Sequence, residues 1–403
     1  MRDEMKKVPR LRFRGFSEDW ELCKLGTLAE IVRGASPRPI QDSKWFDNTS
    51  DVGWLRISDV TEQNGRIYKL EQKLSKAGQE KTRVLRKPHL LLSIAATVGK
   101  PVVNYVNTGV HDGFLIFLNP LFDREFMFQW LEMFTPKWQK YGQPGSQLNL
   151  NSELVRNQEL RMPSTNEQEK IGMLFQYLDD TITLHQRKFD QLKKLKKAYL
   201  QAMFVSMNTK NNKVPKLRFT DFEGDWELCK LGEVFDFKQG VQVPVEEQFT
   251  TLEEGMQRFI RIVDLTTDEE PPRYIKYDSD NLVSESDLFM VRYGAVGVIG
   301  LGYEGVIANN LFKLIPRIVV DEKFSYHQLI KNKDKIISLS SSTTMPALSF
   351  KTLKNLSFSV PSVGEQKQIG SFFANLDNLI TLHQNKLEQL NELKKSYLQN
   401  MFI

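Results

Sequence analysis

The chain has 403 residues, and single hydrophobic cores stop growing near about 250–300, so two domains or more are expected. Hydrophobic residues at 40% and charged ones at 26% exclude wholesale disorder. No apolar run approaches the roughly 18–20 residues of a membrane span. The opening MRDEMKKVPR holds no apolar signal core, so the chain is expected in the cytoplasm, away from any membrane. Cys23 and Cys229 cannot form a disulfide framework, and with five scattered histidines they make no zinc pattern. A net charge of +5, from 55 basic and 50 acidic residues, is compatible with nucleic acid without requiring it.

In chain order, the first segment is KVPRLRFRGFSEDWELCKLG at 7–26. Cys23, inside WELCKLG, reads as a small buried hydrophobe. A polar loop follows at 33–39, where Gly34 lets backbone approach a ligand and Arg33, Ser36 and Arg38 could reach phosphates or base edges. Apolar runs at 54–60, 89–96 and 114–120 read as strands punctuated by Gly, Pro, Asn and Asp, with a helix near 124–141. Arg56 and Ser58 in the first run, and Gln147 and Asn149 in the polar loop 145–151, complete the candidate DNA contacts of this half. Most such exposed polar loops bind nothing.

Residues 163–204 open with Pro163 and carry Glu167-Gln168 in the first turn, where acidic side chains suit the helix dipole. Leu178, Ile182, His185, Phe189, Leu192, Leu195 and Tyr199 then recur at spacings of three and four, the pattern of a coiled-coil seam. About 36 helical residues make a rod of roughly 50 Å, which needs a partner to cover its apolar stripe. A basic run (Arg187, Lys188, Lys193, Lys194, Lys196, Lys197) reads first as a solvated face and second as a stripe tracking phosphates.

The chain then repeats itself. Residues 213–232, KVPKLRFTDFEGDWELCKLG, restate 7–26 with a shift of 206, and 361–402 restate 163–204 with a shift of 198. The second seam is Leu376, Ile380, His383, Leu387, Leu390, Leu393 and Tyr397. His185 and His383 occupy equivalent positions and read as hydrogen-bonded core histidines that fix register, in preference to metal ligands. Between the matched ends the halves barely resemble each other. Strands are expected at 259–265, 295–301 and 311–316, and helix near 323–338. The second set of candidate contacts is Lys238, Gln239, Gln242, Arg261, Thr343 and Thr344.

A period near 200 is domain-sized, and two copies in one chain imitate a homodimer whose halves may diverge. The expected fold is mixed α/β: domains at 1–162 and 213–360, helices at 163–205 and 361–403, and a linker at 206–212. An antiparallel helix pair would place the two domains at opposite ends under a pseudo-two-fold.

Enzyme motifs are missing. There is no phosphate loop, no glycine-rich cofactor loop after a strand, and no nucleophile triad or zinc-protease motif. Asn119-Pro120-Leu121-Phe122 has the outline of the NPPF-type motif of amino-methyltransferases. Without its partner motif it reads as a strand-ending turn. These observations indicate a binding protein.

The P-x-x-x-E-Q-x-x-I helices, the P-[RK]-L-R-F…W-E-x-x-[KR]-L-G frames and the tandem duplication together resemble the specificity subunits of Type I restriction–modification systems, over essentially all of the chain. The resemblance implies two target-recognition domains, each reading half of a split double-stranded DNA site. It further implies an antiparallel coiled coil that sets the gap and docks two modification subunits. Adenine methylation with S-adenosylmethionine and cleavage with ATP and Mg2+ would belong to modification and restriction subunits, with no cofactor in this chain. Base-contacting residues vary within that family, so the candidates above come from loop position alone. A structural adaptor gripping protein partners is the alternative, and a self-contained methyltransferase or nuclease the third reading.

Overall fold

The computed structural model describes residues 7–141, 150–205, 213–267, 270–279, 281–340 and 346–403. The expected linker at 206–212 lies outside them. The chain divides into two compact units, Met1–Gln186 with Asn385–Ile403, and Arg187–Gln384. Each long helix therefore contributes a segment to both units.

In the first unit, strands Glu30–Arg33, Phe114–Leu118, Leu90–Ser93, Pro101–Asn104 and Arg66–Ile67 form a five-stranded sheet in that order. Leu90-Leu91-Leu92 reads as a continuous apolar run because both faces of this sheet are covered. Leu90 and Leu92 join the cluster of Trp20, Phe126 and Trp130, while Leu91 points into the one holding Phe114 and Ile116. A smaller sheet orders Gly53–Trp54, Thr108–Val110 and Arg83–Leu85, and the frame strand Glu21–Lys24 pairs antiparallel with Glu159–Met162. Helix Arg124–Trp138 starts where the Asp123 carboxylate accepts the Phe126 N–H at 2.8 Å, then buries Phe126, Trp130 and Phe134.

The second unit repeats the plan. Phe235–Gln239, Leu311–Pro316, Leu288–Val291 and Ile299–Gly300 make a four-stranded sheet, and Arg273–Lys276, Met256–Ile260 and Val306–Ile307 a three-stranded one. Glu227–Lys230 pairs with Ser357–Val360, and helix Glu322–Lys331 is capped by Asp321 as its counterpart is by Asp123. Both small sheets contain a parallel pair at equivalent residues, Trp54 beside Gly109 and Phe259 beside Val306. The two variable regions share one fold.

Two expected strands are shorter than their apolar runs. The strand in 54–60 ends at Trp54 and the one in 259–265 at Ile260, each followed by a short helix, Ile57–Glu62 or Val263–Thr266. The cause is a carboxylate: Asp59 accepts the Arg56 N–H and Asp264 the Arg261 N–H, both at 2.8 Å, and these caps override β propensity. In 295–301 only Ile299–Gly300 is strand, because Gly297 turns the chain at φ 79°. Asn119 likewise takes φ 47° just after Phe114–Leu118, the turn expected there.

The long helices run Thr165–Ala202 and Val363–Met401. Within each unit their segments are antiparallel. In the first, Phe175 lies 5.7 Å from Phe402 and Asp179 pairs with Lys394 at 2.7 Å. In the second, Phe204 lies 5.6 Å from Phe373 and Lys196 pairs with Asp377. Leu178, Leu192, Leu376, Leu387 and Leu390 are buried, while Ile182, His185, Phe189, Tyr199, Ile380, His383 and Tyr397 are half-buried.

Leu195 and Leu393 do not belong to the seam; they are 41% and 38% exposed. A strict alternation of four and three after Leu192 and Leu390 falls one residue later, on Lys196 and Lys394. Burial of these lysines is tolerated because each finds an acid: Lys196 takes Asp377, and Lys394 takes Asp179 and Glu132. Helical geometry thus outranks apolar identity. The rest of the basic run, Arg187, Lys188, Lys193, Lys194 and Lys197, is exposed, as a solvated face should be.

Glu167-Gln168 and Glu365-Gln366 do more than complement a dipole. Glu167 receives Nε and Nη2 of Arg12 at 2.7 and 2.8 Å, and Glu365 receives Arg218 at 2.8 and 2.7 Å, which bolts each P-[RK]-L-R-F frame to a helix start. Gln168 accepts the Asp123 N–H and donates to the Pro163 carbonyl, both at 2.9 Å; Gln366 does the same with Asp321 and Pro361. Gly172 and Gly370 make room, since a Cβ there would meet Oδ1 of Asp123 at 2.6 Å or of Asp321 at 2.3 Å. Cys23 and Cys229 are half-buried, where burial pushes their thiols up. Among the described residues no helix is long and apolar enough to cross a membrane.

Candidate nucleic-acid interface

Three of the candidate contacts in the first unit converge on one residue. Strand Glu30–Arg33 delivers the loop 33–38 beside the turn that precedes Phe114–Leu118. Gly34 donates to the Phe114 carbonyl and Ala35 to that of Val110, both at 2.9 Å. The approach is so close that a Cβ on Gly34 would lie 2.1 Å from the His111 carbonyl oxygen, so only glycine fits. Around this contact Asp112 gathers its partners. Its carbonyl accepts Arg33 Nε at 2.5 Å, and its carboxylate accepts Ser36 Oγ and Arg38 Nη2, each at 2.7 Å. Burial opposes ionisation of Asp112, but the Ser36 hydroxyl and the Arg38 charge outweigh it and hold the carboxyl below its ordinary range. Burial keeps the neighbouring His111 low, and its Nδ1 accepts the Gly113 N–H at 2.9 Å as a neutral imidazole. The ring rests 5.7 Å from Trp54 and 4.8 Å from Phe114.

The second unit has the same latch in different chemistry. Gly240 donates to Leu311 and Val241 to Ile307, both at 2.9 Å, and a Cβ on Gly240 would strike the Ile307 carbonyl oxygen at 2.2 Å. Asn309 stands where Asp112 does. Its carbonyl accepts Gln239 Nε2 at 2.7 Å, as Asp112 accepts Arg33, and its amide donates to Gln242 Oε1 at 3.3 Å. Arg292 Nη1 reaches Gln239 Oε1 at 2.7 Å from behind. Lys238 is exposed.

Arg56 and Arg261 are held elsewhere. Each folds back on its cap, with Arg56 Nη2 2.9 Å from Asp59 and Arg261 Nε 3.1 Å from Asp264; Arg261 also pairs with Glu270 at 2.9 Å. Both guanidiniums brace the short helices, and Ser58 is exposed on the first of these. Gln147, Asn149, Thr343 and Thr344 lie outside the described residues. Sequence reasoning missed Asp112 and Asn309. The available signal was an Asp or Asn two residues before each strand FLIF or LFKL, at equivalent positions of the two copies.

Two loop latches on equivalent positions, with different side chains and a frame written twice, define a two-headed protein whose halves present unlike polar groups. The family model for the Type I restriction modification DNA specificity domain matches residues 17–194 and again 223–392. The chain belongs to that family and is its sequence-specific DNA-recognition subunit. It is 21% identical over 400 residues to the Type I restriction enzyme MjaVIII specificity subunit of Methanocaldococcus jannaschii, covering 94% of this chain and 91% of that one. With the EcoBI specificity subunit of Escherichia coli it shares 22% over 283 residues, 63% of this chain and 60% of the other. The crystal structure of a Type I S subunit from M. genitalium superposes with a TM-score of 0.69 at 15% identity, covering 98% of this chain and 99% of that one.

Proposed function

We propose that this chain reads an asymmetric, bipartite DNA site, one half through each unit, and leaves catalysis to partner subunits. The observation that carries this reading is the duplicated latch: one backbone frame holding Arg33, Ser36, Arg38 and Asp112 in one copy and Gln239, Gln242 and Asn309 in the other. Equal frames with unequal polar groups suit two similar domains reading unrelated half-sites. Successive major grooves on one face of DNA lie roughly 10 base pairs, or about 34–36 Å, apart, so half-sites of a few base pairs would flank an unread gap of roughly 5–8.

The paired helices set that gap and dock two modification subunits, with restriction subunits completing the complex in the cytoplasm. Adenine methylation with S-adenosylmethionine and cleavage with ATP and Mg2+ are the work of those partners. Exchanging residues 27–160 for the same region of a relative tests the reading, with modified sites mapped across the genome. One half-site should change while the other half and the gap stay. A continuous or palindromic site overturns the reading, and binding that ignores DNA sequence would favour an adaptor instead.

A further inference from the structure

The two latches divide labour in the same way. Arg33 Nε and Gln239 Nε2 each donate to a backbone carbonyl, that of Asp112 or Asn309, and so tie the start of the loop to the facing turn. The side chains left at the rim differ. In the first unit these are Arg38, 71% exposed, and Asp112, 38% exposed. Among the hydrogen bonds of the described residues Arg38 commits only Nη2, so a cationic donor fork stands beside a carboxylate with lone pairs to spare. In the second unit Asn309 gives its amide N–H to Gln242 Oε1. That leaves the side-chain Oδ1 of Asn309 as acceptor beside Nε2 of Gln242 as donor.

These two arrangements match different base pairs. In the major groove a G·C pair offers the O6 and N7 acceptors of guanine next to the N4 donor of cytosine, which suits a guanidinium beside a carboxylate. Adenine offers an N6 donor next to an N7 acceptor, which suits amides that present one acceptor and one donor. We propose that Arg38 and Asp112 read a G·C pair in one half-site, and that Asn309 and Gln242 read an A·T pair in the other. This assignment rests on the DNA-reading role proposed above. It makes residues 38, 112, 242 and 309 specificity-determining positions, with 33 and 239 as positioning residues.

The test is selection of bound duplexes from a random pool by the full chain, followed by sequencing. The wild type should select two half-sites, and Arg38→Ala should lose about ten- to hundred-fold discrimination at one G·C position of one half only. Arg38 is exposed, so its truncation should leave the fold intact; Asp112→Asn supplies a near-isosteric second variant with loss at the same position. Asn309→Ala should relax a single A·T position in the other half. A uniform fall in affinity with unchanged base preferences overturns the assignment and reduces the latches to scaffolding. So does relaxation at a pair of the other type. A wild-type chain that selects no motif overturns the DNA-reading role itself, an outcome distinct from a bipartite motif that the variants fail to alter.

Discussion

Asp179 shows how much one buried carboxylate can organise. Burial pushes its pKa up, but Lys394 and Arg66, both within 2.9 Å, outweigh that and hold it below the usual carboxylate range. Asp377 is its counterpart, with burial opposed by His327 and Lys196. A carboxylate whose folded pKa is depressed contributes stability above its unfolded value near about 3.9, lost as pH falls through the folded one. Asp179→Ala removes one of the two carboxylates facing each of Lys394 and Arg66, which keep Glu132 and Glu125, and should cost about 1–3 kcal/mol in denaturant unfolding near neutral pH, with a weaker acid limb than wild type. Lys331 has its folded pKa lowered too, but at the alkaline end and by burial of its charge. Its ammonium donates to the carbonyls of Phe204 and Val205 at 3.0 and 2.9 Å, and burial pushes it down to about 8. Between about pH 8 and the ordinary lysine value near 10.4 the unfolded chain binds more protons, so this group adds stability as pH rises through that window. Urea midpoints of Lys331→Met against wild type, compared at pH 8 and pH 10, should show that increment only in the wild type. None of these pairings was legible in the sequence, because partners such as Asp179 and Lys394 are held together only by the fold.

At the scale of elements, the long helices were the most legible part of the chain and still deceived in one respect. Periodicity located the seam from Leu178 to Tyr199 and from Leu376 to Tyr397, yet chose Leu195 and Leu393 over the lysines one residue later. A pattern of apolar letters cannot register that a lysine stem packs while its head finds an acid on another element. The distinction is measurable. Leu192→Asp and Leu390→Asp should each lower stability by at least the roughly 2–5 kcal/mol of a buried leucine truncation, whereas Leu195→Glu and Leu393→Glu should stay within about 0.5 kcal/mol of wild type. Thermal unfolding of the four variants decides the register. Equal losses at all four would mean that the seam is wider than these structures of the units show. The short helices after Trp54 and Ile260 were hidden for a related reason: β-branched runs look like strands until the capping Asp59 and Asp264 are seen in place.

At the scale of the molecule, each unit is completed by residues from the far half of the sequence. Phe402 packs 5.3 Å from Phe126 in the first unit, and Phe204 packs 5.4 Å from Phe324 in the second, at equivalent positions. Leu390, Met401 and Phe402 belong to the first core, and Met203, Phe204 and Val205 to the second. Cutting the chain within 206–212 should therefore yield halves that copurify when co-expressed and recover binding to DNA, because each supplies a helix segment that the other's core requires. Either half expressed alone should aggregate or pair with itself, since it leaves part of a core uncovered. Co-expressed halves that elute separately would contradict this exchange of segments.

The sequence by itself determined the duplication, the two mixed α/β regions and the pair of long helices. Those features are written in local periodicity and in a comparison of the chain with itself, both of which survive without coordinates. Only the tertiary structure decided which lysines turn inward, why Glu167 and Glu365 start their helices, and how Asp112 and Asn309 organise the loops that begin at Arg33 and Gln239. Each of those depends on groups distant along the chain, such as Arg12 and Glu167, 155 residues apart, or Arg38 and Asp112, 74 apart. A polar side chain acquires its role from the partner that folding brings to it, and that partner is set by the packing of whole elements rather than by neighbouring letters.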